Sequence, residues 1–97
     1  MTRPAAVAEA LRRIAPRMPR HEFEAVIDHA GLSPGLRGAA PETAAWLSLV
    51  AYVRHVFTDY DRLLADGYDV DSARFFTAGE IDAKLEEWGA VRRVGEE

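Results

Sequence analysis

Ala51-Tyr52-Val53-Arg54-His55-Val56-Phe57-Thr58-Asp59-Tyr60-Asp61-Arg62-Leu63-Leu64 carries an apolar helical stripe and a dense polar cluster within the same few turns. In it and just before it, Trp46, Leu49, Val50, Val53, Phe57, Tyr60 and Leu64 recur at intervals of three or four, which sets them on one face of a helix. The other face reads Arg54, His55, Thr58, Asp59, Asp61 and Arg62. Two geometries satisfy the pattern: one helix through Leu64, or a break near Thr58 where a second helix begins. Thr58 with Asp61 three residues on resembles a capping box with Asp in place of Glu or Gln, so the break is favoured.

Toward the N-terminus, Pro4 fits the first turn of a helix, where a missing N–H costs nothing, and Val7, Leu11 and Ile14 follow with helical spacing. Pro16 ends that helix. The linker Pro16-Arg17-Met18-Pro19 leads to a second one with Phe23, Val26, Ile27 and Ala30 as its apolar stripe and Gly31 as a terminal glycine of positive φ. Residues 31–41, rich in glycine and proline, form an irregular connection, and Pro41-Glu42 opens the central helix at its positive dipole end.

Toward the C-terminus, Asp59 to Ala65 reads as a short helix closed by Asp66-Gly67. Asp69 and Asp71 are alternative N-caps for the last helix, whose stripe is Ala73, Phe76, Ile81, Leu85 and Trp88, with Gly89 closing it. Gly79 inside it marks a close crossing or a bend. Val91 to Glu97 reads as a frayed tail. No alternating run is long enough for a sheet, so the expected fold is all-α, a small single-domain bundle of about five helices. Within it, residues 1–40 supply a helix pair and a loop, 41–89 the helical core and 90–97 the tail.

Composition agrees with one soluble globular domain: 97 residues, 48% hydrophobic and 29% charged, well above the apolar content of disordered chains. The absence of cysteine removes disulfides and thiolate chemistry and fits a reducing compartment. The longest nearly apolar run, Ala44 to Val53, is about half of the roughly 20 residues a membrane span needs. The apolar run Ala5 to Ala8 is too short for a secretory signal, so a cytoplasmic location is expected, with no membrane contact. The net charge of −4 is uneven, since residues 1–40 carry six arginines against four acids and the remainder is strongly acidic. Only one of the twelve basic residues is lysine, Lys84, and arginine forks suit carboxylate, phosphate and aromatic partners.

Arg54-His55, Thr58-Asp59-Tyr60-Asp61, Leu63-Leu64, Gly67, Ala73-Arg74 and Trp88-Gly89 together resemble the bacterial family known as domain of unknown function 2293. The resemblance spans roughly residues 41–89 and rests on several unlike residue types at fixed spacing. It implies no reaction and no binding residues, because the family is named for lacking a function. Phe57 departs from it, standing where a more polar residue is expected, and points to deeper packing there.

Three sets of residues are candidates for function. The first is the polar cluster Arg54, His55, Thr58, Asp59, Asp61 and Arg74. On a continuous helix His55 and Asp59 would pair at i, i+4, and the arginines could hold a phosphate or carboxylate, as an anion-binding protein or an enzyme would. The structural alternative makes Thr58 a cap, Asp61 its completion, and Arg74 a staple to the acids. The second set is Arg12, Arg13, Arg17 and Arg20, a patch able to neutralise the phosphates of a nucleic acid, although such cations also stabilise a helix C-terminus. The third is Trp46, Tyr68 and Phe75, candidate apolar contacts for a protein partner or a second copy, because adjacent Phe75 and Phe76 cannot both face one core.

Other chemistry is excluded by spacing. Ser48 stands seven helical residues before His55, roughly 10 Å away, too far for a serine triad. His21, Glu24 and Asp28 offer one imidazole and lack the spacing of a helical zinc site. A calcium loop counted from Asp69 fails because Arg74 stands where the turn needs glycine. No metal and no cofactor is expected, and the balance leans to a non-enzymatic binding or adaptor domain.

Overall fold

In the computed structural model, which describes residues 2–95, the chain forms five α-helices: α1 Arg3–Ile14, α2 Arg20–Leu32, α3 Pro41–Phe57, α4 Tyr60–Ala65 and α5 Val70–Glu87. A single 3-10 turn, Pro34–Leu36, lies between α2 and α3, and the described residues contain no strand. The all-α expectation therefore holds, and so does the break after Phe57.

The organising element is α3. Its buried residues are Ala44, Ala45, Trp46, Ser48, Leu49, Val50 and Val53, a set too wide for one amphipathic stripe. It is covered on several sides: α1 contributes Val7, Ala10 and Leu11 to the core, α2 contributes Val26, and α5 contributes Ile81 and Leu85, with Trp88 just beyond. Residues of the first 40 positions and of the family-like region thus share one core.

Local signals account for the helix ends. Thr2 caps α1 by accepting from the Ala5 N–H at 3.2 Å, and Pro4 occupies the first turn. Asp69, not Asp71, caps α5, accepting from the Ser72 N–H at 2.7 Å. Gly31 differs from expectation: it lies inside α2, and the chain leaves that helix through extended Ser33, which needs no left-handed residue. The positive-φ glycines are Gly67 and Gly89.

Gly89 (φ +88°) also sits where a Cβ would meet the Pro16 ring at 3.0 Å. Beside it, the Arg17 backbone N–H donates to the Trp88 carbonyl at 2.9 Å, and the Arg17 guanidinium donates to the Glu86 carbonyl at 3.1 Å. The linker between α1 and α2 is thereby fastened to the end of α5.

Four further expectations are corrected by packing. The buried stripe of α5 is Ala73, Thr77, Ile81 and Leu85, every fourth residue, while Phe76 is 56% exposed. Thr77 can be buried because its hydroxyl donates to the Ala73 carbonyl at 2.8 Å. Gly79 is exposed, with nothing within 4 Å of a Cβ placed there, so it marks no close crossing. Phe57 packs edge-on against Trp88 and Tyr52 yet remains partly exposed, so the deeper burial expected there is incomplete. The tail is docked through residue 95: Ala90 is buried, and the Asp82 carboxylate accepts from the Val94 and Gly95 N–H groups at 2.7 and 3.1 Å. Glu96 and Glu97, the rest of the expected frayed tail, lie outside the described residues. Among the described residues no helix is long and apolar enough to cross a membrane.

Candidate functional site

The junction of α3 and α4 is built by Thr58. Its extended backbone (φ −130°, ψ 171°) stops α3, its hydroxyl donates back to the Arg54 carbonyl, and its oxygen accepts from the Tyr60 N–H at 3.2 Å. This closes the end of one helix and the start of the next with one side chain. The capping box itself does not form, because Asp61 points elsewhere: its carboxylate meets His55 Nδ1 at 2.8 Å. The expected partner of His55, Asp59, instead accepts from Arg62 at 3.1 Å. The break changes the angle between the helices, so an i, i+4 pair is exchanged for an i, i+6 pair. Ser48, seven residues back, is fully buried and apart from this cluster.

Tyr60 is the buried floor of the junction, with the His55 ring edge-on at 5.5 Å and the Arg54 guanidinium 5.5 Å from its ring centre. Arg54 forms no ion pair with Asp61 or Asp59, which are bonded to His55 and Arg62. It lines a groove of about 350 Å³ between α3 and α5, together with Arg74, Trp46, Leu47, Val50, Ala78, Ile81 and Val94. The Arg54 Nε is buried and has no hydrogen-bond acceptor among the described residues. Burial and the charge of nearby Arg74 both push the Arg54 pKa down. Arg74 makes no ion pair with any described residue, so it does not staple α5 to Asp59 or Asp61.

The N-terminal arginines differ. Arg13 is paired with Glu42, Arg20 with Glu24 at 3.1 Å, Arg12 lies 5.0 Å over the Phe23 ring, and Arg17 is bonded to the end of α5. Each of the four has an intramolecular partner. The Glu24 contact also takes that residue out of the His21, Glu24, Asp28 set, and the described residues contain no metal-binding group of three or more such side chains.

Of the three apolar contact candidates, two are on the surface. Phe75 is 78% exposed and Tyr68 47%, and both pack edge-on against Phe76, at 5.7 and 5.6 Å between ring centres. Trp46 is only 3% exposed and belongs to the core, its ring covered by Arg92 at 4.3 Å. It offers no contact surface. The turn from α4 to α5 thus carries a continuous aromatic patch of Tyr68, Phe75 and Phe76, with exposed Val70 at the start of α5.

One polar feature escaped the sequence. Glu22 is buried, and its carboxylate accepts from the Tyr52 hydroxyl at 3.1 Å and lies 3.0 Å from His21 Nε2. Burial, this hydrogen bond and the carboxylate's charge all hold the Tyr52 pKa above its ordinary value. The available signal was the i, i+4 spacing of Glu22 and buried Val26, which places the acid on the inward face of α2.

A model of the family of uncharacterized conserved proteins DUF2293 matches residues 10–89, and the chain belongs to that family. The match begins within α1, so it takes in the end of α1 and all of α2 and is not confined to residues 41–89. No curated protein and no solved structure matches the chain.

Proposed function

We propose that this DUF2293 domain is a non-catalytic binding module that docks a partner protein through the aromatic patch at the α4–α5 turn. The observation that carries this reading is that adjacent Phe75 and Phe76 are both exposed, at 78% and 56%, and join Tyr68 in one cluster. Exposed aromatics that touch one another are the kind of anchor on which interfaces concentrate their binding energy. Asp66, Asp69 and Asp71 are exposed along the same turn, which favours a partner that sets an apolar side chain beside basic ones.

The test is titration of the isotopically labelled protein with an amphipathic peptide of leucine and lysine, alongside sedimentation of the protein alone. The expected result is shifts concentrated at Tyr68, Val70, Phe75 and Phe76, weakened by salt and lost in Phe75→Ser. Shifts scattered over the whole surface, or binding unchanged in Phe75→Ser, reject the reading. A concentration-dependent dimer that Phe75→Ser abolishes would make a second copy of the chain the partner.

A further inference from the structure

We propose that the groove between α3 and α5 binds a small apolar carboxylate, its charge held by Arg54 and Arg74 and its hydrocarbon laid along Leu47, Val50, Ala78 and Val94. This site is separate from the aromatic patch and does not depend on it.

The groove holds a buried donor without an acceptor among the described residues. A buried guanidinium N–H is expensive to leave without an acceptor, and native structures rarely do so without a ligand, an ion or water to supply one. Arg54 Nε is such a group, and the second cation in the groove, Arg74, raises the cost. Among the described residues no acid lines the groove, and Asp61, Asp59 and Asp82 are bonded elsewhere: Asp61 to His55, Asp59 to Arg62, and Asp82 to the Val94 and Gly95 amides. An oxyanion between the two guanidiniums would satisfy the free donor and relieve their repulsion. The lowered pKa of Arg54 has the same cause, since burial and Arg74 both disfavour its charge.

The chemistry of the walls selects the kind of anion. Six of the eight lining residues are apolar, so a bare inorganic anion would leave most of the groove wet. The arginines stand on the flanks of α3 and α5, where backbone N–H groups are consumed by the helices and cannot cradle a phosphate. A carboxylate carried on a short hydrocarbon uses both the forks and the walls. The volume of about 350 Å³ accommodates a ligand of that size.

The test follows the Nε–Hε NMR signals of Arg54 and Arg74 in the full chain while hexanoate, hexanamide, acetate and inorganic phosphate are titrated at constant ionic strength. Hexanoate is expected to move both signals. Hexanamide should leave them in place, and acetate should bind about tenfold more weakly because it covers little of the apolar wall. Arg74→Gln changes an exposed residue, so it is expected to fold and to weaken hexanoate by about tenfold. N-acetyl-leucine tighter than hexanoate supports the site and identifies a peptide C-terminus as its source; the reverse order supports it with a free acid. Unmoved arginine signals, equal binding of hexanoate and hexanamide, phosphate tighter than hexanoate, or an Arg74→Gln variant that binds as before would each overturn the proposal.

Discussion

Arg12, Arg13, Arg17 and Arg20 at one end of the molecule and Arg54 and Arg74 in the α3–α5 groove are the same residue type in opposite circumstances. The first four each have a carboxylate, a carbonyl or a ring to hold them. In the groove, Arg54 keeps a ring contact with Tyr60, but its buried Nε has no acceptor, and Arg74 has no carboxylate among the described residues. Density of positive charge along the sequence therefore does not show which arginines the fold leaves without an acceptor. What marks a candidate site is a buried donor that the fold leaves without an acceptor, because folding alone gives no return for that arrangement.

The comparison can be broken most severely at the helix that supports both regions. Leu49→Ala, at a fully buried position of α3, is expected to cost about 2–5 kcal/mol, read from the shift of the urea midpoint. A smaller loss separates the two ends of the molecule. Gly89→Ala forces a side chain into positive φ and against Pro16, and should cost about 1–3 kcal/mol in the same measurement.

The next change sharpens the contrast directly. Arg54→Met removes an uncompensated charge while keeping an unbranched side chain, so stability should stay within about 1 kcal/mol of the parent or rise. A large loss would mean that Arg54 holds the fold as the N-terminal arginines do. At the other end, Arg13→Gln removes an ion pair whose members are both more than half exposed, and should cost less than about 1 kcal/mol. If Arg13→Gln proved more costly than Arg54→Met was stabilising, the N-terminal cluster would be a structural clamp and not merely a satisfied surface.

The effect most dependent on conditions comes from Tyr52. Its folded pKa is raised by burial and by Glu22, so its contribution to stability is complete below the unfolded value of about 10 and is lost as pH rises through the folded value. Urea midpoints measured on either side of that range should fall with pH in the parent. Tyr52→Phe should remove that part of the slope, having no phenol to ionise.

Much of the fold was legible, and particular residues show why. Pro4, Pro16 and Pro41 punctuate helices through local backbone chemistry, and Asp69 caps through a contact three residues away. Such effects act within one turn, so reading the sequence is enough. Phe76 and Thr77 show where local reading stops. Helical spacing allows either to lie inward, hydrophobicity favours Phe76, and the buried residue is Thr77, whose hydroxyl has the Ala73 carbonyl to bond. Trp46 erred in the opposite sense: a residue judged available for contact is in the core because α3 is wrapped on several sides.

The helical class, the break at Thr58 and the family could be read from the sequence, whereas the buried centre lies earlier in α3, at Ala44 to Val53, than the stretch from Ala51 to Leu64. The first three rest on spacing within a few turns or on the order of residues along the chain. The pairing of His55 with Asp61, the hydrogen bond between Glu22 and Tyr52, and the groove shared by Arg54 and Arg74 emerge from the packing of separate helices. Those outcomes depend on the angles at which separate helices cross, and on which donors packing leaves without an acceptor. Such quantities exist only once α3, α4 and α5 have been assembled.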